Sequence, residues 1–245
     1  PFVVDLVRET IVIPSVEVKF GSLVDDKWQE VEAGKEQSGM VAWLKLSRFG
    51  DLTNQQWDKA VETIIANCQI VKLSNCQTCQ KTNNNPCAGL ILDLRNNPGG
   101  YLDGAVTLAG EFLEEGKLVV KQENANGTVQ EYTVNRIGRL TSTPMVVLIN
   151  KGSASASEIL AGALRDQGRA KIVGEKSFGK GTVQEAIDLR EGAGLHVTVA
   201  KWLLPAGEWI NKEGIKPDIE VALDEKDQTR DVQLEKSSGG TFKIK

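Results

Sequence analysis

Residues 150–184 read NKGSASASEILAGALRDQGRAKIVGEKSFGKGTVQ. The stretch opens on a turn of small residues and serines. It continues into a helix expected over Ser155–Asp166 and a short apolar strand over Lys171–Gly174. Just upstream, Pro144 introduces a second apolar run, Met145–Ile149. Strand, helix and strand in this order require parallel pairing with a crossover helix. The logic repeats earlier in the chain. Gly89–Arg95 (GLILDLR) is almost continuously apolar, as in a strand covered on both faces. It ends in the breakers Asn96-Asn97-Pro98-Gly99-Gly100. A helix is expected from Leu102 to Leu113, with Leu102, Val106, Ala109 and Phe112 on one stripe. The expected fold class is therefore mixed α/β, built on βαβ units.

Residues 1–20 alternate and read as two strands broken near Pro14, and Gly39–Ser47 reads as another. Thr53 and Gln56 suggest a capping box opening a helix whose buried face is Trp57, Val61, Ile64 and Ile65. Lys117–Lys121 and Val129–Asn135 form an expected hairpin over Asn126-Gly127. Thr182–Leu189 and Leu195–Leu203 alternate like an antiparallel pair. Beyond Pro217 the sequence turns polar, and residues 225–245 read as a tail without a packing pattern.

With 245 residues and a net charge of −4, the chain offers no basic face for nucleic acid. No apolar run reaches the ~18 residues of a membrane span. Pro1 is not an initiator, so a mature or trimmed chain is expected. The single histidine, His196, sits in the alternating segment LHVTVAKW on its polar face. A Ser-His-Asp triad would have to use it, and a solvated strand residue is the simpler reading.

Attention therefore moves to serine and lysine. A serine in the first turn of a helix has unpaired backbone N–H groups beside it and the positive end of the helix dipole. Ser155 is so placed, between Ala154 and Ala156. Its proton must go to a base. A lysine serves when burial disfavours the ammonium, and Lys180, flanked by Gly179 and Gly181, suits a backbone that passes close to the nucleophile. Gln184 follows four residues on and could aim the amine through its carboxamide oxygen. The residues alone leave Ser153, Ser155 and Ser157 open as nucleophiles. Glu158 reads as an acid favoured in a helix's first turn.

NKGSASASEILAGAL and GEKSFGKGTVQ, preceded by LILDLRNNPGGYLDGAV and followed by WLLPAGEWINKEGIKPDIEV, resemble the C-terminal processing peptidases, or tail-specific proteases. The resemblance runs roughly from Gly39 to Leu223. It implies a crotonase-like (ClpP/crotonase-type) core over residues 21–224, with a small β portion at the N-terminus. It implies a Ser/Lys dyad of Ser155 and Lys180, supported by Gln184. The oxyanion would rest on the backbone N–H of Ala156 and that of Gly99 or Gly100. No cofactor or metal is implied. The implied reaction is endopeptidase cleavage near the C-terminus of protein or peptide substrates with exposed apolar ends. The implied location is extracytoplasmic, in a periplasm, cell envelope or equivalent compartment. Peripheral membrane attachment through further segments and homo-oligomerisation stay open.

Two features depart from the family. Its PDZ domain, which captures a chain end by strand addition, is represented only by residues 1–20, which resemble the strands leaving such a domain. The segment 68–87 is an insert carrying Cys68, Cys76, Cys79 and Cys87. Nested disulfides, Cys68–Cys87 and Cys76–Cys79, suit an exported protein. The alternatives are one zinc bound by the four thiolates, or free thiols. Two other functions remain open: a peptide-binding scaffold of the same fold, and a crotonase-type acyl-transfer enzyme.

Overall fold

The computed structural model describes residues 13–25, 27–32, 39–68, 87–223 and 230–239. The strand expected within residues 1–12, and Cys76 and Cys79, lie outside the described residues. In chain order the strands are β1 (Val16–Val24), β2 (Lys27–Val31), β3 (Met40–Leu46), β4 (Cys87–Asp93), β5 (Leu118–Asn124), β6 (Val129–Thr133), β7 (Met145–Ile149), β8 (Lys171–Gly174), β9 (Thr182–Asp188), β10 (Gly194–Leu203) and β11 (Ile219–Glu220). The helices are α1 (Thr53–Cys68), α2 (Leu102–Ala109), α3 (Ala156–Asp166) and α4 (Val232–Gly239).

The main sheet has the order β11-β8-β7-β4-β3-β1-β2. From β3 to β11 the pairing is parallel, as the βαβ pattern requires. β1 runs antiparallel to both β2 and β3 and supplies the small β portion at the N-terminal side. The central strands are apolar throughout because each face meets its own layer. Leu90 and Leu92 of β4 and Val147 of β7 join one cluster with Trp57, Leu108, Ile159 and Leu164 from α1, α2 and α3. Ile91, Val146 and Leu148 point the other way, into a cluster capped by Leu234 of α4. Full burial of each such side chain contributes about 1.5–3 kcal/mol. The second sheet, β6-β5-β10-β9, is antiparallel. Its β5–β6 hairpin closes over Asn126-Gly127, with Gly127 at φ 81. No helix among the described residues is long and apolar enough to cross a membrane.

Several expectations are corrected. The capping box does not form. Thr53 Oγ1 accepts from Gly50 N at 2.9 Å and donates to the Arg48 carbonyl. Gln56 instead reaches across to β1 and accepts from Ser15 N at 2.7 Å. Helix α2 stops at Ala109 rather than Leu113; beyond it Glu111 N and Phe112 N donate three residues back, to the Leu108 and Ala109 carbonyls, while the Glu111 carboxylate accepts from Arg136 and Arg139. The supposed polar tail contains α4, which covers the sheet's second face. Its buried residues are largely polar (Gln233, Glu235 and Ser237), so no apolar stripe marks it in the sequence. Cys68 and Cys87 form a disulfide, Cα–Cα 5.0 Å, tying the end of α1 to the start of β4. In that state their sulfurs are not the thiolates a four-cysteine zinc site requires.

Candidate active site

Three turns meet at the C-terminal ends of adjacent parallel strands β4, β7 and β8, where open α/β sheets place their ligands. The first is the Asn96–Gly100 turn after β4. The second is Asn150–Ser155, between β7 and α3. The third is the extended segment 175–181 after β8.

The first two turns are bolted together by asparagines. Asn150 Oδ1 accepts from Asn96 N at 2.8 Å, and Asn150 Nδ2 donates to Asn96 Oδ1 at 2.9 Å. The buried Asn97 donates to the Leu46 carbonyl, and its own carbonyl accepts from Ala154 N at 2.9 Å. Asn96 pays for this register with a left-handed backbone, φ 57.

The three serines now separate. Ser153 is buried and donates to the Leu94 carbonyl at 2.8 Å. Ser157 is buried and donates to the carbonyls of Asn97 and Ala154. Ser155 is partly exposed, and its hydroxyl donates to no acceptor among the described residues. It sits at the N-cap of α3 with φ 57 and ψ −118. A non-glycine residue held there is strained by about 1–3 kcal/mol, and the surrounding bonds must hold it.

Much of that hold comes from Glu158, which is wholly buried. Its Oε2 accepts from Ser155 N at 2.8 Å and from Lys180 N at 2.9 Å. Its Oε1 accepts from Gly179 N at 2.7 Å and from the Ser177 hydroxyl at 2.6 Å. Two donors on one oxygen lie within about 6 Å of each other, so the carboxylate sets the Ser155 and Lys180 backbones side by side. Sequence reasoning took Glu158 for a helix-start acid. Its spacing three residues after Ser155 was the only signal, and it was an ambiguous one.

The glycines divide differently from expectation. A Cβ on Gly179 would lie 2.7 Å from Gly214 N, and one on Gly181 would lie 2.7 Å from Asn211 N. The residues flanking Lys180 therefore make room for the 210–214 turn, not for the nucleophile. The close approach to Ser155 belongs to Gly99, where an added Cβ would stand 2.8 Å from Ser155 Cβ and 2.8 Å from the Ala154 carbonyl. Gly99 N donates to Asn97 Oδ1 at 2.9 Å, so that donor is committed. The N–H groups of Gly100 and Ala156 are bonded to no acceptor among the described residues.

Lys180 is not buried, as the sequence reading required. Its backbone is pinned, but its side chain is exposed and makes no hydrogen bond to a described residue. Gln184 stands on β9 opposite Thr198, also exposed and without a side-chain bond to a described residue. His196 is exposed on β10 opposite Ala186, away from these turns. The structure thus gathers Ser155, Ala156, Gly99 and the Lys180 backbone, with Gly100 next in the chain, and Gln184 makes no side-chain bond to a described residue.

Residues 40–221 match Peptidase family S41. The chain belongs to that family. Over 135 residues this S41 chain is 44% identical to the carboxy-terminal processing protease CtpA of Bacillus subtilis (strain 168), covering 55% of the chain and 29% of that protein. It is 46% identical over 133 residues to a probable CtpA-like serine protease of Staphylococcus aureus (strain COL), covering 54% of the chain and 27% of the relative. The solved photosystem II D1 C-terminal processing protease matches with a TM-score of 0.68 and 32% identity, over 88% of this chain and 50% of that one. A putative peptidase from Parabacteroides merdae ATCC 43184 shares the fold, with a TM-score of 0.65 at 20% identity, over 93% of this chain and 65% of that one. The matched region is less than a third of either curated relative.

Proposed function

We propose that this S41 chain is a serine endopeptidase that cuts protein substrates near their C-termini through a Ser155/Lys180 dyad. One observation carries the reading: a strained, partly exposed serine and a lysine hang from the same oxygen of a buried glutamate. Ser155 Oγ attacks the scissile carbonyl as Lys180 takes its proton. The oxyanion is held by the N–H groups of Ala156 and Gly100, neither of which is bonded to an acceptor among the described residues. Lys180 returns the proton to the leaving amine, and water then hydrolyses the acyl-enzyme.

A neutral amine needs a drier setting than an exposed lysine has. In this reading the substrate supplies it, lying as an added strand over the site and covering Lys180. Gln184 then orients the amine only in the covered state. A cleft lined by Phe49, Asp51, Thr53, Tyr101, Leu102 and Asp103 lies beside Gly100 and offers a mixed apolar and acidic surface to substrate side chains. We read the parallel core as crotonase-type, and the Cys68–Cys87 disulfide supports work in an oxidising, extracytoplasmic compartment. Counting free thiols in protein taken directly from its native compartment tests that placement.

The exposed Lys180 and Gln184 favour one rival, a peptide-binding scaffold with a disabled site. The test is cleavage of an unfolded protein with an apolar C-terminus, run beside labelling by a serine-directed acylating probe. Wild type should cut and label. Ser155→Ala should abolish both, and Lys180→Ala should lower both by at least ~10³-fold. Labelling that persists in Ser155→Ala would sink the assignment, and a wild type that binds the substrate without labelling would establish the scaffold.

A further inference from the structure

Arg95, at the end of the strand that feeds the Asn96–Gly100 turn, uses all five of its N–H donors. Nε donates to Asp93 Oδ1 at 2.9 Å, and Nη2 donates to Asp93 Oδ2 at 2.6 Å. Nη1 donates to Asp231 Oδ1 at 2.7 Å and to Gln233 Oε1 at 3.1 Å. Nη2 also donates to Asp231 Oδ2 at 2.7 Å. The guanidinium is thus gripped along one edge by its own strand and along another by the start of α4. Planar, two-edged gripping of this kind fixes orientation as well as position.

Asp231 is surplus to simple needs. Asp93, itself 1% exposed, already neutralises Arg95. Leu234 already attaches α4 to the sheet. Asp231 also caps α4, accepting from Leu234 N at 3.0 Å. What it adds is a second fixed edge on Arg95.

Arg95 is covalently followed by Asn96, whose left-handed backbone bonds to Asn150, and by Asn97, whose carbonyl holds Ala154 N and whose side chain holds Gly99 N. Asn96 and Asn97 thus tie the chain after Arg95 to the Ser155 turn by named bonds. We propose that Asp231 is a positioning residue that, acting through Arg95, sets the Asn96–Gly100 turn against Ser155 and makes α4 part of the catalytic apparatus. The proposal rests on the peptidase reading for its effect on rate, and on geometry alone for its effect on the turn. Asp231 lies beyond residues 40–221, the region matched by the family.

The test compares Asp231→Ala with Leu234→Ala, which loosens the same helix without touching Arg95. Amide hydrogen exchange is followed at Asn96, Asn97 and Gly99, and turnover of p-nitrophenyl acetate gives kcat and KM. Asp231→Ala should speed exchange at the turn by ~10-fold or more and lower kcat by ~10- to 100-fold with KM nearly unchanged. Asp231→Glu should recover part of both. Leu234→Ala should lower Tm and leave exchange at the turn and kcat near wild type. The proposal is overturned if Asp231→Ala leaves exchange at the turn unaltered, or if Leu234→Ala raises it equally. A wild type inert toward the ester would count against the peptidase reading, and the exchange comparison would still decide the positioning role.

Discussion

Glu158 carries four donors on two oxygens, and among the described residues no other single side chain holds so much of the candidate site. Its replacement by glutamine keeps the shape and removes half the acceptors. Two of the four donors would then face an amide NH2, and each buried orphan costs about 1–3 kcal/mol. Glu158→Gln should lower stability by several kcal/mol in urea titration and slow probe labelling of Ser155 by ~100-fold. A stable variant that labels at the wild-type rate would show that the clamp does not set the site. The residues alone left Ser153, Ser155 and Ser157 open, and the family resemblance singled out Ser155 and Lys180. Glu158 was not singled out, because an acid at the third position of a helix has a sufficient local reason to be there. Its partners at 177–180 are brought to it only by the fold.

At the scale of elements, strands were read well where both faces are buried, as in β4 and β7, since continuous apolar runs leave little choice. Strand β2, mostly exposed, carries no such run and was not seen. Helix α4 was missed because it buries glutamine, glutamate and serine through specific bonds, and hydrophobic periodicity is blind to those. The disulfide between α1 and β4 closes a separation of 19 residues. A closed loop of that size restricts the unfolded chain by about 3 kcal/mol in the chain-entropy view. Cys68→Ser together with Cys87→Ser should lose roughly that amount in chemical denaturation, with the labelling rate of Ser155 unchanged. An unchanged denaturation midpoint would count against the bridge as a stabilising element.

The molecule as a whole is acidic, and away from the candidate site it holds the carboxylates of Glu111 and Asp231 on arginine. Burial alone would raise the Glu111 carboxyl, yet hydrogen bonds from the Arg139 side chain and backbone, with the Arg136 charge, hold it below the ordinary carboxylate range. Asp231 is likewise held low by Arg95, against its own burial. For both groups the folded value lies under the unfolded one, so their stabilisation is fully present above the ordinary carboxylate range. It is lost as pH falls through the folded values. Urea midpoints should stay level from pH 7 to about 5 and drop steeply below about 4.5. Glu111→Gln should be less stable than wild type near neutrality and should flatten part of that acid limb. A wild-type profile still level at pH 3 would contradict the account.

The three turns of the site come from β4, β7 and β8, and bonds such as Asn96 to Asn150 join residues 54 apart in sequence. Pairings of that range are entropically slow to close, because long loops must be ordered before any contact rewards them. The strained Ser155 backbone, the Gly99 contact and the Glu158 clamp each need a neighbour from a different strand. No fragment or half-assembled sheet therefore contains the reactive arrangement. On the peptidase reading proposed above, a refolding solution of this chain would start out inert, its unfolded copies shielded from their own kind until the central strands have found their order.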